Sequence, residues 1–551
     1  MATLKAAEDF KVLIVYPNLP LMLIPSIAVA LFTDIFKKRG YQVKLFETTY
    51  YMSDEATNTK ARVERLQARR FDVVKELQIV IKNDMLGDFR RMVEEYQPDL
   101  LVISTVEDTF LQAVKMLNAV QDLKIPHIVG GVFPTHAKDR CFDFPEINMI
   151  GLGEGEVIVN MVAEAVRQGA PLHNIPGTWY RDPSGQIHKN PAPPLADINK
   201  VRPDFSLFED KRFYRPMGGR LFKMIPIETY RGCPYSCTYC NSPAMTSFAR
   251  DAGQGKFLRR KSMDILRAEI KYYVDNFNPE FFYIMDDSFL ARPKQEIFDF
   301  CDMYEEFKLP FWFNTRAENC HPEVMARLKE VNCYRMAASC ECGNDDYRRS
   351  VLRRNIDNDK LIRHFNDIAD SGIAFSVDIM VGLPGETREL VMESVDLIRQ
   401  IRGYDALTVS VFTPYHGTVL REVAIKNGWL DGKTVCSGAT TTSLLTMPPP
   451  YLGSEEIVNL TSVLPMYCYF PKEEWDTIRR AETPDDEGLR LRQHYAERYN
   501  REFFGNNQED KQTTQHVGGA GCRSNPRDSF QLVPTRLSED ELARLMLPAM
   551  R

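Results

Sequence analysis

The chain has 551 residues, 44% of them hydrophobic and 26% charged, with a net charge of −7 and a pI near 5.9. That length asks for two or three domains rather than one core, and the acidic balance argues against a nucleic-acid binder held by bulk electrostatics. No stretch reaches the roughly 18 apolar residues that a membrane span needs.

The nearest apolar run, Leu19–Phe32, is broken by Pro20 and Pro25 and follows a strand, so it reads as neither span nor signal peptide. The expected compartment is the cytoplasm, where the 12 cysteines are reduced and ligand or catalytic roles outrank disulfides. In chain order, Lys11–Tyr16 (KVLIVY), Gln42–Glu47 (QVKLFE), Asp99–Ser104 (DLLVIS), His127–Val129 and Asn148–Ile150 read as strands. Ile24–Arg39 and Thr109–Leu123 have helical spacing. This alternation predicts an α/β domain with a doubly wound parallel sheet. A charged helical insert, roughly 54–97, reads as a solvated surface helix pair, with a subunit contact as the alternative. A short hairpin near Thr178–His188 leads into the Pro-rich stretch Pro183–Pro203, which has the composition of an interdomain linker.

A second series starts near Ile225, with strands expected at Met224–Thr229, Phe281–Met285, Phe311–Asn314, Tyr334–Ser339, Phe375–Val381 and Ala406–Phe412. Six such units separated by helices predict a partial (β/α)6 barrel. Past Leu430 the pattern is helical and charged, and Gly518–Pro526 reads as a loop or tail. The expected division is a first domain over 1–185, a linker over 186–218, the barrel over 219–430 and a helical region over 431–551.

The sharpest chemical signal is Arg231–Ser242, RGCPYSCTYCNS, in which Cys233, Cys237 and Cys240 are spaced C-x3-C-x2-C just after a strand. Thiolates are the preferred ligands of iron–sulfur clusters. Three of them on one loop hold three irons of a cubane and leave the fourth open. A structural zinc site wants a fourth Cys or His nearby, and the loop supplies none. A cysteine-rich core loop or a zinc knuckle is the alternative.

This spacing resembles the radical S-adenosylmethionine superfamily, and the resemblance runs through the whole second series. Tyr239 stands where the family has an aromatic residue near adenine. The second strand ends in Asp286-Asp287, and the third in Asn314-Thr315-Arg316. The fourth runs into Ser339-Cys340-Glu341-Cys342-Gly343, where Glu341 fits the family pattern and Ser339 and Cys342 depart from it. The fifth gives Val381-Gly382-Leu383-Pro384-Gly385-Glu386-Thr387, and the sixth Thr413-Pro414-Tyr415-His416-Gly417-Thr418, with His416 where many relatives have proline. The resemblance implies a [4Fe–4S] cluster whose open iron binds S-adenosylmethionine. It also implies an external one-electron reductant such as flavodoxin or ferredoxin, and a 5′-deoxyadenosyl radical that takes hydrogen from a small-molecule substrate. Cofactor contacts are then expected from Tyr239, Asp286, Asp287, Arg316, Glu341, Gly382 and Pro384; for Arg316 and Glu341 a salt bridge inside the barrel is the alternative. Tyr415 and His416 are the candidate catalytic residues, with capping or packing as the alternative for His416. Alternation along the strand puts Cys340 and Cys342 opposite Glu341, as buried free cysteines rather than a second cluster. Cys522 falls in a loop and keeps a possible role.

The first domain resembles the cobalamin-binding domain fused to one subclass of that superfamily. The matching residues follow its strands: Tyr16-Pro17-Asn18, Ser104-Thr105, Gly130-Gly131 and Gly151-Leu152-Gly153-Glu154-Gly155-Glu156. Cobalamin contacts are expected from Asn18, Leu21, Ser104, Thr105, Val106, Glu107, Gly130, Gly131, Val132, Gly153, Glu154 and Gly155. No histidine precedes His127, so the Asp-x-His-x-x-Gly cobalt ligand is missing, and residues 17–25 would lie beneath the corrin. The resemblance implies methylation of an unactivated carbon or phosphorus through methylcobalamin. A radical cyclisation, rearrangement or oxidation without methyl transfer is the alternative, and a non-enzymatic corrinoid- or cluster-binding sensor the competitor from another class.

Overall fold

The computed structural model describes residues 4–52, 58–437 and 442–505; the Gly518–Pro526 loop and Cys522 lie outside them. Seven strands form the first sheet: β1 (Lys11–Tyr16), β2 (Gln42–Glu47), β3 (Leu100–Ser104), β4 (His127–Gly130), β5 (Met149–Gly151), β6 (Thr178–Arg181) and β7 (Ile187–Lys189). Their order is β2-β1-β3-β4-β5-β6-β7. The first five are parallel, and the β6–β7 hairpin extends the sheet antiparallel from β5. The chain reverses direction across the sheet between β1 and β3, the crevice where such folds bind ligands. Both faces are covered, so these strands are apolar on both sides. Val12, Ile14 and Val102 pack with Val29, Phe36, Ile158 and Val162 on one face. Leu13, Val15 and Ile103 pack with Phe89, Phe110 and Leu117 on the other.

The second sheet contains β8 (Tyr214–Met217), β9 (Arg220–Ile227), β12 (Phe281–Ile284), β13 (Phe311–Arg316), β14 (Cys333–Glu341), β15 (Ala374–Val381) and β16 (Ala406–Val411). A two-stranded ribbon, β10 (Tyr230–Arg231) with β11 (Arg259–Arg260), lies between β9 and β12 in the chain. The sheet order is β16-β15-β14-β13-β12-β9-β8. The six strands from β9 to β16 are parallel, as expected, and β8 adds an antiparallel edge that the linker composition concealed. Phe311, Phe313, Val377, Ile379, Leu407 and Val409 point outward into the main core. Alternation therefore turns Trp312, Asn314, Asp378 and Thr408 inward. The helix Ser454–Tyr469 packs outside β16 and beside Arg388–Ile398, extending the outer layer with Leu460, Val463 and Leu464.

The insert between β2 and β3 is not a solvated helix pair. Its helices run over Asn58–Glu64, Val73–Glu76 and Met85–Tyr96. Leu66 and Gln67 are buried. Gln67 Nε2 donates to the Val409 carbonyl at 3.0 Å, and Arg62 to Thr408 Oγ1 at 3.2 Å, both on the edge strand β16. Farther along, the Gln78 carbonyl accepts from Lys211, just before β8, at 2.8 Å. The insert thus bridges the two open edges of the half-barrel. Its polar residues have partners some 340 positions away in the chain, which local patterning does not reveal.

Candidate active site at the strand ends of the barrel

The cysteine loop leaves β9 through Gly232, whose φ of +94° favours glycine; a Cβ there would sit 2.9 Å from the Phe257 ring. Asp286, at the end of β12, accepts from the backbone N–H of Thr229 at 2.8 Å and of Tyr230 at 3.0 Å, and pairs with buried Arg292. It shapes the entrance of the loop. Thr238 is pinned at both ends: its Oγ1 donates to Val351 O at 2.6 Å, and its carbonyl accepts from Leu420 N at 3.0 Å. Asp287 accepts from Ser242 Oγ at 2.7 Å, and burial raises its carboxyl above the usual range.

The three thiols lie within electrostatic reach of one another. Burial first, then neighbouring acid and thiol groups, pushes Cys233 up to about 11 and Cys240 up to about 12. Thiols held protonated this way ionise when a metal displaces the proton. Among the described residues no three ligands converge on a single metal ion.

Around the loop, the strand ends form a charged rim. Tyr239 donates its hydroxyl to Glu341 Oε1 at 2.9 Å. Glu341 sits at φ +66° on a register slip between β14 and β15. Fully buried Arg354 binds Ser339 Oγ and Ser339 O at 2.9 Å, Glu318 at 3.0 Å and Glu341 at 3.1 Å. The Arg316 guanidinium lies 3.7 Å from the Tyr235 ring centre, pairs with Glu318 and points Nη1 at Cys237 Sγ, 3.9 Å away. The sequence reading missed Arg354 and Glu318, which belong to no spaced motif. Gly382, at φ +82°, donates its N–H to Glu386 at 2.6 Å, and the Pro384 carbonyl accepts from Tyr347 at 2.7 Å. Cys340 and Cys342 are fully buried in apolar clusters on the side away from the rim.

Several residues expected to touch a corrinoid instead join the two sheets. Glu107 accepts from His416 N at 2.8 Å, His416 Nδ1 at 2.7 Å and Cys436 N at 2.9 Å. Tyr415 donates to Asp108 at 2.9 Å. Both candidate catalytic side chains are therefore tied to the first domain. Glu154 pairs with Arg231 at 3.1 Å and with Arg259; Glu156 pairs with Arg231 at 2.7 Å. Arg231 opens the cysteine loop, so the acidic residues after β5 anchor it. Asn18 is spent in its own loop, donating to Met22 O and Thr49 Oγ1 at 2.9 Å, while Leu21 donates its N–H to Thr49 O with φ +58°. Thr105 Oγ1 faces Thr109 Oγ1 at 2.9 Å.

What remains open at the strand ends of the first sheet is apolar and uncrowded. Val106 is 49% exposed and Val132 37%. Beside them Gly130 would meet nothing within 4 Å if given a Cβ. Gly131, at φ +129°, lies so close beneath Thr105 that a Cβ would collide with its carbonyl at 2.0 Å. Ser104 is partly exposed at this edge. Gly153 would strike Phe248 and Gly155 Phe32, so these two serve packing. His127 lies at the opposite end of β4, accepting from Asn148 N at 3.1 Å. An open apolar shelf beside small residues fits a broad, flat ligand.

Residues 227–398 match the family model of the radical SAM superfamily. The chain is 25% identical over 350 residues to the anaerobic magnesium-protoporphyrin IX monomethyl ester cyclase of Rubrivivax gelatinosus, a match covering 60% of each chain. It is 21% identical over 438 residues to the cytidylyl-2-hydroxyethylphosphonate methyltransferase of Streptomyces wedmorensis, covering 71% of this chain and 79% of the relative. Among solved structures, the cobalamin-dependent S-adenosylmethionine radical enzyme OxsB with aqua-cobalamin superposes with a TM-score of 0.58 at 14% identity, covering 90% of this chain and 71% of that one. The methyltransferase TsrM of Kitasatospora setae, with cobalamin and a [4Fe–4S] cluster, gives 0.55 at 16% identity, covering 84% and 82%. Residues 227–398 thus form a radical SAM domain, the domain of an enzyme whose cofactors are a [4Fe–4S] cluster and S-adenosylmethionine, and the chain as a whole has the fold of the cobalamin-dependent radical enzymes OxsB and TsrM.

Proposed function

We propose that this enzyme methylates an unactivated carbon or phosphorus centre of a small molecule, with cobalamin on the open shelf of the first sheet. When bound, the cluster supplies the electron that cleaves S-adenosylmethionine, and the corrinoid supplies the methyl group. Cys233, Cys237 and Cys240 hold the cluster. Tyr239, Glu341 and Arg316 orient S-adenosylmethionine at the rim, with Arg354 fixing Glu341. Ser104, Val106, Gly130, Gly131 and Val132 carry the corrinoid. The observation that supports this most is the joint between the sheets: Glu107, beside Val106, holds the His416 turn at the barrel mouth. It sets the shelf of one domain facing the rim of the other.

The test is anaerobic reconstitution with iron, sulfide and cobalamin, then mass spectrometry against candidate substrates in the presence of a one-electron reductant such as flavodoxin or ferredoxin. The expected products are 5′-deoxyadenosine, S-adenosylhomocysteine and a substrate heavier by one methylene unit. Deoxyadenosine without S-adenosylhomocysteine favours the second reading, a radical cyclisation or oxidation, which the similarity to the cyclase supports.

A further inference from the structure

Most parallel barrels fill their interior with bulky aliphatic side chains. Here an apolar plug of Met217, Phe222, Met224 and Phe281 sits at the N-terminal end. Above the plug, several inward positions carry polar or charged side chains. Arg215 of β8 lies over Tyr283 and Trp312, its guanidinium 5.3 and 5.0 Å from their ring centres. Arg335 of β14 is paired with Asp405. Asp378 of β15 faces Arg62, which the insert delivers through the gap between the sheet's edges.

Three observations mark this space as a built site rather than a packed core. First, Arg62, Arg215 and Asp378 sit deep among protein atoms without being fully buried, as side chains on the wall of an internal space do. Second, buried donors there lack acceptors: Arg62 Nε and Trp312 Nε1 have no hydrogen-bond partner. Such groups are costly unless something completes them. Third, the charges do not balance. Arg335 is cancelled by Asp405, which leaves two guanidiniums, Arg62 and Arg215, against one carboxyl, Asp378. Burial lowers both of these arginines below their usual range, and the mutual repulsion of the three arginines adds to this at Arg62. Asp378 attracts Arg62 without reaching ion-pair contact, and burial pushes it up to about 6.

We propose that this space binds an oxyanion of the substrate, a carboxylate or a phosphorus oxyanion, between Arg62 and Arg215. The bound group would accept from Arg62 Nε and Trp312 Nε1 and neutralise the excess positive charge. The proposal rests on the enzyme reading above and adds to it a substrate class: molecules with an anionic head that enters the barrel below Glu341 while the reacting atom stays at the rim. Glu341 is close enough to raise Asp378 electrostatically, which places the space within reach of the rim.

The experiment is calorimetric titration of the full-length, cluster-loaded protein with methylphosphonate and, separately, with acetate. The wild type is expected to bind at least one probe. Arg62→Gln and Arg215→Gln should each weaken binding by tenfold or more, and Asp378→Asn should tighten it severalfold by removing the competing negative charge. The opposite sign of the Asp378 effect separates this role from general loss of structure, and it remains readable if an arginine variant folds poorly. Binding of methylphosphonate alone identifies a phosphorus oxyanion, and of acetate alone a carboxylate; binding of both supports their shared chemistry. Wild-type protein that binds neither, arginine variants that bind like wild type, or a weaker Asp378→Asn overturns the proposal. The titration needs no turnover, so failure of the enzyme to methylate anything bears on the function above and not on this site.

Discussion

The carboxylate of Glu107, at the start of a helix in the first domain, is held by both the backbone and the ring of His416 in the second. Burial alone would raise this carboxyl. The bonds from His416 and Cys436 override it and hold the group below its ordinary value. Replacing Glu107 with Ala leaves buried donors without an acceptor and should cost about 3–5 kcal/mol, the range for breaking a buried pair. A carboxyl lowered on folding contributes stability above its unfolded value near 4.5, and loses it as pH falls below that. Urea melts should therefore separate wild type from Glu107→Ala at neutral pH, and the gap should close as the pH falls well below 4.5.

Each of Cys233→Ser, Cys237→Ser and Cys240→Ser removes a thiolate from the loop. Iron content and the visible absorbance of the reconstituted protein should fall sharply in each, with reductive cleavage of S-adenosylmethionine lost. The fold should persist, because Thr238 and Asp286 anchor the loop independently of any metal. Far-ultraviolet circular dichroism unchanged from wild type checks that separation.

Arg354 is a fully buried guanidinium whose loss would leave Glu341 without a cationic partner and Glu318 with Arg316 alone. Arg354→Met should destabilise the protein by about 3–5 kcal/mol. Tyr239→Phe removes one hydrogen bond to Glu341 and should cost about 1 kcal/mol. Both should weaken S-adenosylmethionine binding measured by calorimetry, Arg354→Met by the larger factor.

Glu386 presents the opposite titration. Burial pushes its carboxyl up to about 8, only partly offset by the N–H groups of Gly382 and Leu383. A carboxyl raised on folding is fully favourable below its unfolded value and loses that contribution as pH rises towards 8. Glu386→Gln should abolish this loss, on the order of 5 kcal/mol, and be the more stable protein above pH 8. Thermal melts of the two across that range give the comparison.

Much of this architecture was legible because burial leaves a mark on sequence. β1 and β2 run over the residues expected, and the six parallel strands of the second sheet fall where apolar runs end in turn residues. The cysteine loop stands out because its three thiols share one short segment directly after a strand. Pairings across the chain were not. Glu154 reads as part of a glycine-rich turn, but it faces Arg231 and Arg259. Asp286 reads as a cofactor contact, but its acceptors are filled by loop backbone. The insert reads as solvated because charge is its only local signal, while what Arg62 and Gln67 bind is set by topology.

The insert also changes what counts as a module here. One wall of the barrel belongs, by chain order, to the other domain. A barrel expressed alone would expose β16 as a bare edge, an invitation to intermolecular pairing. Exchanging the first domain between homologues would carry Arg62 with it and alter the interior of the second. Selection on a new substrate can therefore act through a segment remote from every cofactor motif, and grafting must move the insert and barrel together.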